Sequence, residues 1–177
     1  MEANGRFILP GLIDAHVHFQ PWFPEIVLRY GITTLLDTGP CGADCGDDPN
    51  QWVLRFNRAL NGSMRGPTLY VTGMKLAGHE AKHENHTYRL HNIDELSTRV
   101  DLLARLGVDA LKAEEQLPVE FRRRLVEEAE RRGLPVVGHS REVRESIAAG
   151  MRFIEHMYPL AFSLSGDPAA LQRGTST

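Results

Sequence analysis

Several things are scarce in this sequence, and each scarcity removes a class of protein. Of its 177 residues only Cys41 and Cys45 are cysteines. A C-x3-C pair in a Gly/Asp/Pro-rich loop makes a structural metal site only if further ligands arrive from elsewhere, so the two read as free thiols. No apolar run approaches the length needed to cross a membrane, and Met1 to Gly11 lacks the charged-then-apolar order of a secretory leader. The default location is therefore cytoplasmic. Neither sign of charge dominates: the formal net charge is -3. That balance offers no basic footprint for nucleic acid and no polybasic segment for a membrane surface. Also missing are a Gly-x-Gly-x-x-Gly after the first strand and a phosphate loop, the usual signals of a nucleotide-binding sheet.

What is present is the composition of one ordinary globular domain, 42% hydrophobic and 24% charged, arranged as short apolar runs alternating with longer amphipathic segments. That beat predicts βα units on a parallel sheet. Strands are predicted at Leu12–Phe19, Ile32–Asp37, Thr68–Thr72, Ala110–Ala113, Pro135–His139 and Phe153–His156. Helices are predicted at Asp94–Leu106, after Asn92 and before Gly107, at Pro118–Arg132, before Gly133, and at Arg141–Ala149, before Gly150. Leu96, Val100, Leu103 and Leu106 in one helix, and Phe121, Leu125, Val126 and Ala129 in the next, recur at helical spacing and give each an apolar face. Gly73–Asn92 fits no element and reads as a functional loop. Its His79, His83 and His86, with Lys75 and Lys82, can contact substrate, bind an adventitious metal or, more simply, form a solvated polar loop.

About six βα units suit either an open doubly wound sheet or an unfinished (β/α)8 barrel. The strand ends decide between them. His16 and His18, Lys112, His139 and His156 fall at the C-terminal ends of the first, fourth, fifth and sixth strands, and in a barrel those ends converge on the face that carries the active site. His16 and His18 are two apart on one strand, so both imidazoles project from the same side and can reach one cation. The expected fold is thus α/β, an incomplete (β/α)8 TIM-type barrel with a parallel sheet.

Pro10-Gly11-Leu12-Ile13-Asp14-Ala15-His16-Val17-His18 closely resembles the first strand of the amidohydrolase superfamily. The similarity continues in order through Ile32-Thr33-Thr34-Leu35-Leu36-Asp37, Gly107-Val108-Asp109-Ala110-Leu111-Lys112, Gly133-Leu134-Pro135-Val136-Val137-Gly138-His139 and Ala149-Gly150-Met151-Arg152-Phe153-Ile154-Glu155-His156. It is strong at the first, fifth and sixth strands and weakest across Cys41–Asn92. The later strands look most like the imidazolonepropionase-like branch and its Xaa-dipeptidase-like relatives.

The resemblance implies one or two divalent metal ions, commonly zinc. His16 and His18 would hold a buried ion, His139 and His156 a more exposed one, and Lys112, carboxylated, would bridge them as the catalytic lysine. Glu114 is the rival bridge, and a plain lysine paired with Glu114 or Glu115 is the simpler alternative. The implied activity is hydrolysis of a C–N bond in a small cyclic amide or dipeptide-like substrate by a metal-activated water. Asp14 would orient a ligand or serve as a buried partner for a backbone or Arg group. Asp37 would line the site or open a turn.

Relatives in this family carry an aspartate on an eighth strand, which ligates the buried ion and shuttles the proton. No seventh or eighth strand is legible after His156, and Asp167, before Pro168, reads as a helix N-cap. Residues 1–11 look like the join to a small β-sandwich and residues 12–177 like a truncated barrel. These readings carry three expectations: little hydrolase activity from the chain alone, a non-catalytic metal-binding fragment as the alternative, and association through exposed first and sixth strands with another chain or another copy.

Overall fold

The computed structural model describes residues 5–39, 48–62, 64–81 and 86–165. The readings placed on Cys41, Cys45, Lys82, His83 and Asp167 lie outside those residues. Within them the chain alternates strands and helices, and every strand pair is parallel. The fold is α/β, and the two sheets together make a partial barrel.

Strands β1 (Leu12–Val17), β2 (Ile32–Asp37) and β3 (Thr68–Val71) form one sheet in that order. The second sheet runs β5-β4-β6-β7-β8, from β4 (Lys75–Gly78), β5 (Thr87–Leu90), β6 (Leu111–Ala113), β7 (Val136–Gly138) and β8 (Phe153–Ile154). The two sheets meet where the third strand bends. Gly73 takes φ 65° between β3 and β4, and the Asp109 N–H, just before β6, donates to the Val71 carbonyl at 2.8 Å. A side chain at Gly73 would strike Asn50 Oδ1, Leu103 and Val108, so the bend needs glycine for both space and backbone angle.

All six predicted strands are present. Gly73–Asn92, however, is not one loop: it contains β4 and β5, and β4 lies fully buried between β5 and β6. Glycines at both ends and a lysine inside hid a strand of four residues from the apolar pattern. Buried parallel strands this short carry little periodicity to read.

The helices are α1 (Phe23–Arg29), α2 (Pro49–Gly62), α3 (Ile93–Leu106), α4 (Val119–Glu130), α5 (Val143–Ala148) and α6 (Tyr158–Ser165). In α3 the Asn92 Oδ1 accepts from the N–H groups of Asp94 and Glu95, each at 3.1 Å, while Glu95 reaches back to accept from the His91 N–H at 2.9 Å. A reciprocal cap of this kind contributes about 1 kcal/mol. Gly107 ends the helix at φ 84°, as its position predicts.

Two apolar clusters hold the layers together. Phe19, Leu35, Val53, Leu54, Leu60, Leu69 and Val71 pack under β1–β3 against α2. A larger cluster, including Leu76, Leu96, Leu103, Leu111, Leu125 and Met151, fills the space between the second sheet and α3 and α4. Glu128, almost fully buried, locks α4 to α3 by accepting from Arg132 at 2.6 Å, Arg124 at 2.8 Å, Arg131 at 3.0 Å and Ser97 at 3.0 Å.

Candidate metal centre

The C-terminal ends of the strands gather the predicted residues onto one face. His16 lies on β1 and His18 just beyond it, His139 follows β7, and His156 follows β8. His156 adopts φ 64°, alone among the non-glycine residues described. That left-handed geometry costs of order 1–3 kcal/mol and persists only where the surroundings enforce it.

One donor atom from each of His16, His139, Glu155 and His156 lies within 4.8 Å of the others. The Nε2 atoms of His139 and His156 are 3.1 Å apart. Glu155 places Oε2 3.4 Å from His139 Nε2 and Oε1 3.4 Å from His16 Nδ1. Its other neighbour is Lys112, completely buried on β6, whose Nζ forms a tight ion pair with Oε2 and sits 3.5 Å from His139 Nε2. Both oxygens of Glu155 are shielded from water yet have no hydrogen bond of good geometry. Converging lone pairs of this kind suit a cation, and three imidazoles with a carboxylate are a donor set for zinc.

Electrostatics favour the neutral form of His16 and His156. Burial, then the charges of Lys112 and the neighbouring histidines, hold His16 down at about 4. Burial and His139 lower His156 in the same way. Burial likewise draws the Lys112 ammonium down to about 7, against the pull of Glu114 and Asp37. A neutral imidazole keeps the lone pair that a metal needs.

His18 stands beside this group. Its ring meets His16 edge-on at 5.5 Å and its Nδ1 faces the Gly39 carbonyl at 3.2 Å, which leaves Nε2 as the nitrogen with a lone pair. Glu114 lies behind His139, with Oε2 2.8 Å from Nδ1, on the side of the ring away from His156. Burial would raise the Glu114 carboxyl, but the His139 hydrogen bond and the Lys75 charge outweigh it and hold the group well below the usual carboxylate range. Asp14 turns to the backbone, accepting from the His16 N–H at 3.1 Å. Asp37 is fully buried and accepts from the Phe19 N–H at 2.8 Å, tying β2 to the chain just after His18. His79 is exposed on the turn after β4, 6.1 Å from His91 and apart from the cluster.

The sequence pattern of the amidohydrolase family matches residues 7–175. The chain belongs to the amidohydrolase family. Among solved structures it is similar to one described as a prolidase from Bifidobacterium longum, at 26% identity and a TM-score of 0.68, covering 92% of this chain and 44% of that one. A Xaa-Pro dipeptidase with bound methionine in its active site shares the fold at 20% identity and a TM-score of 0.64, over 95% of this chain and 52% of that one. An adenine deaminase of Geobacillus kaustophilus (strain HTA426) is 43% identical in an alignment of 42 residues that covers 20% of this chain and 7% of that protein. The chain thus spans about half the length of the solved relatives it matches.

Around this cluster of the amidohydrolase-family chain, two residues escaped the sequence reading. Glu155 was visible only as the residue before His156, and its one available signal was an acid between two apolar positions and a histidine. Arg122 falls on α4 outside the apolar positions Phe121, Leu125, Val126 and Ala129 that give the helix its sequence signal. It is buried, and its guanidinium donates to the carbonyls of Leu117 at 2.9 Å, Glu114 at 2.6 Å, Glu115 at 2.9 Å and His139 at 2.7 Å. One side chain thereby ties together the loops that carry His139 and Glu114.

Proposed function

We propose that this chain carries the metal centre of a zinc-dependent amidohydrolase that hydrolyses a C–N bond of a small cyclic amide or dipeptide-like substrate. The observation that carries the reading is the convergence of His16, His139, Glu155 and His156 within 4.8 Å. When bound, zinc would lower the pKa of a coordinated water toward neutrality and polarise the scissile carbonyl. His16, His139 and His156 would hold it through neutral nitrogens, with Glu155 supplying an oxygen and His18 close enough to join. Lys112, its ammonium weakened by burial, is the residue suited to react with carbon dioxide. Its amine nitrogen would bond to the carbon and release a proton, giving a carbamate that would supply further oxygen donors to the metal centre. The bound methionine of the Xaa-Pro dipeptidase structure, together with the prolidase likeness, favours a dipeptide-like substrate.

The unpaired edges of β1 and β8 favour a second reading. Among the described residues each has a strand on one side only. The chain would then bind metal without turnover until further strands, from another chain or a longer version of this one, complete the site. Titration with zinc in bicarbonate buffer, followed by a panel of Xaa-Pro and other dipeptides, separates these. Zinc binding with turnover that His139→Ala abolishes supports the enzyme; zinc binding without turnover supports the second reading. If the chain takes up no zinc and His139→Ala changes nothing, both are wrong.

A further inference from the structure

Behind His139, on the side facing away from the cluster, is a second charged pair that the metal reading leaves unused. Glu114 follows β6 and is nearly buried, its backbone N–H fixed by the Leu76 carbonyl at 2.9 Å. One of its oxygens meets His139 Nδ1 at 2.8 Å and the other meets Lys75 Nζ at 3.0 Å. Lys75 is itself buried on β4, the strand concealed in the predicted loop. It reaches Glu114 by running beside Gly39, where an added Cβ would press on the lysine stem at 3.0 Å. Three strands thus deliver Lys75, Glu114 and His139 as a line of contacts ending at His139 Nε2.

We infer that Lys75 and Glu114 are positioning residues that fix the ring angle and the tautomer of His139, so that Nε2 presents its lone pair to the cluster. This rests on the metal reading of the site. The physical argument is short. A carboxylate only accepts, so the nitrogen it faces must carry the hydrogen, and the proton on a neutral ring is thereby confined to Nδ1. The rear bond also stops the imidazole from turning about χ2 and makes Nε2 the better donor to a metal. Lys75 does the same for the carboxylate, holding the oxygen that His139 does not use, so that Glu114 cannot swing forward to compete as a ligand. The role assigned to Glu114 is therefore orientation of a ligand, not the bridging role weighed from sequence.

Long-range 15N–1H correlation on the zinc-free chain reads the tautomer directly. His139 is expected as the Nδ1–H form, and to lose that preference in Glu114→Gln, whose amide can face the ring with either atom. Competition titration with zinc should show a loss of affinity of roughly 10- to 100-fold in Glu114→Gln and a smaller loss in Lys75→Met. An Nε2–H tautomer in the unaltered chain overturns the proposal without any variant. So does a Glu114→Gln chain that binds zinc as tightly as the parent while His139→Ala does not, and in that case the metal reading survives. If the parent chain binds no zinc, the metal reading fails and the positioning role falls with it.

Discussion

His139 and His156 face each other through their Nε2 atoms at 3.1 Å, with the rings stacked at an interplanar angle of 24°. Two lone pairs at that separation repel unless a proton or a cation lies between them. Lys112 and Glu155 complete the same small volume with opposite charges, so the site is held by compensation, and removing one member should expose the debt of another.

Glu155→Gln is the most direct case. It leaves the fully buried Lys112 ammonium without its partner, and breaking such a pair from one side costs about 3–5 kcal/mol. The double variant Glu155→Gln with Lys112→Met should recover much of that loss, because no buried charge is left over. Urea unfolding of the four proteins closes the cycle. Simple additivity of the two single losses would show that the pair is not coupled.

Arg122→Met should lower stability by about 3 kcal/mol, because four carbonyls, those of Leu117 and Glu114 in buried bonds and those of Glu115 and His139 in part-buried ones, lose their donor together. Arg122→Lys should rescue little, since an ammonium cannot span the fork of acceptors that a guanidinium reaches. Thermal unfolding monitored by circular dichroism tests both. An Arg122→Lys chain as stable as the parent would reduce the residue to a local charge.

Asp37 sets a pH dependence. Burial, opposed by the N–H groups of Phe19 and Gly39 and by Lys112, raises its carboxyl from 3.8 to about 7. The folded chain holds a proton there that the unfolded chain has already released, so the contribution of Asp37 falls as pH rises from near 4 to near 7. Asp37→Asn should therefore stabilise the metal-free chain above neutrality, on the order of 3 kcal/mol, with the difference shrinking to nothing in acid. A constant difference across a pH series of denaturant midpoints would contradict the assignment.

Glu128 behaves in the opposite sense. The Arg132 hydrogen bond, followed by Ser97, Arg131 and Arg124, outweighs burial and lowers its carboxyl from 4.5 to about 2. The stabilisation is complete above 4.5 and is lost as pH falls toward 2. Glu128→Gln should cost about 2 kcal/mol at neutral pH, and the gap to the parent should close over that acid range. Acid titration of both proteins by circular dichroism checks the sign.

The strand positions and the histidines were legible in the sequence because each depends on local chemistry. Apolar runs bounded by turns gave the strands, and a His-x-His on a strand must point one way. Helices α1 and α2 were not placed, although Val53, Leu54 and Leu60 bury their side chains in the first core. What stayed hidden depends on burial created by distant partners. Glu155 and Lys112 are a charged pair only because β6 and β8 bring them together. Arg122 looks like a solvated helix residue until the carbonyls of two strand-end loops are laid against it. Strand β4 could not be read because its lysine is buried by Glu114, and no neighbour in sequence announces that.

The bend at Gly73 leaves the molecule with two separately packed cores, one under β1–β3 and one under β4–β8, and the histidine cluster straddles them. His16 comes from the first, while His139, Glu155 and His156 come from the second. A cation held by all four would act as a rivet between the two, closing a loop formed by most of the chain. Its main effect on dynamics would be to couple local opening on the two sides more tightly. Amide exchange in β1 and in β8 would then slow together on metal binding, even though the two strands share no backbone hydrogen bond.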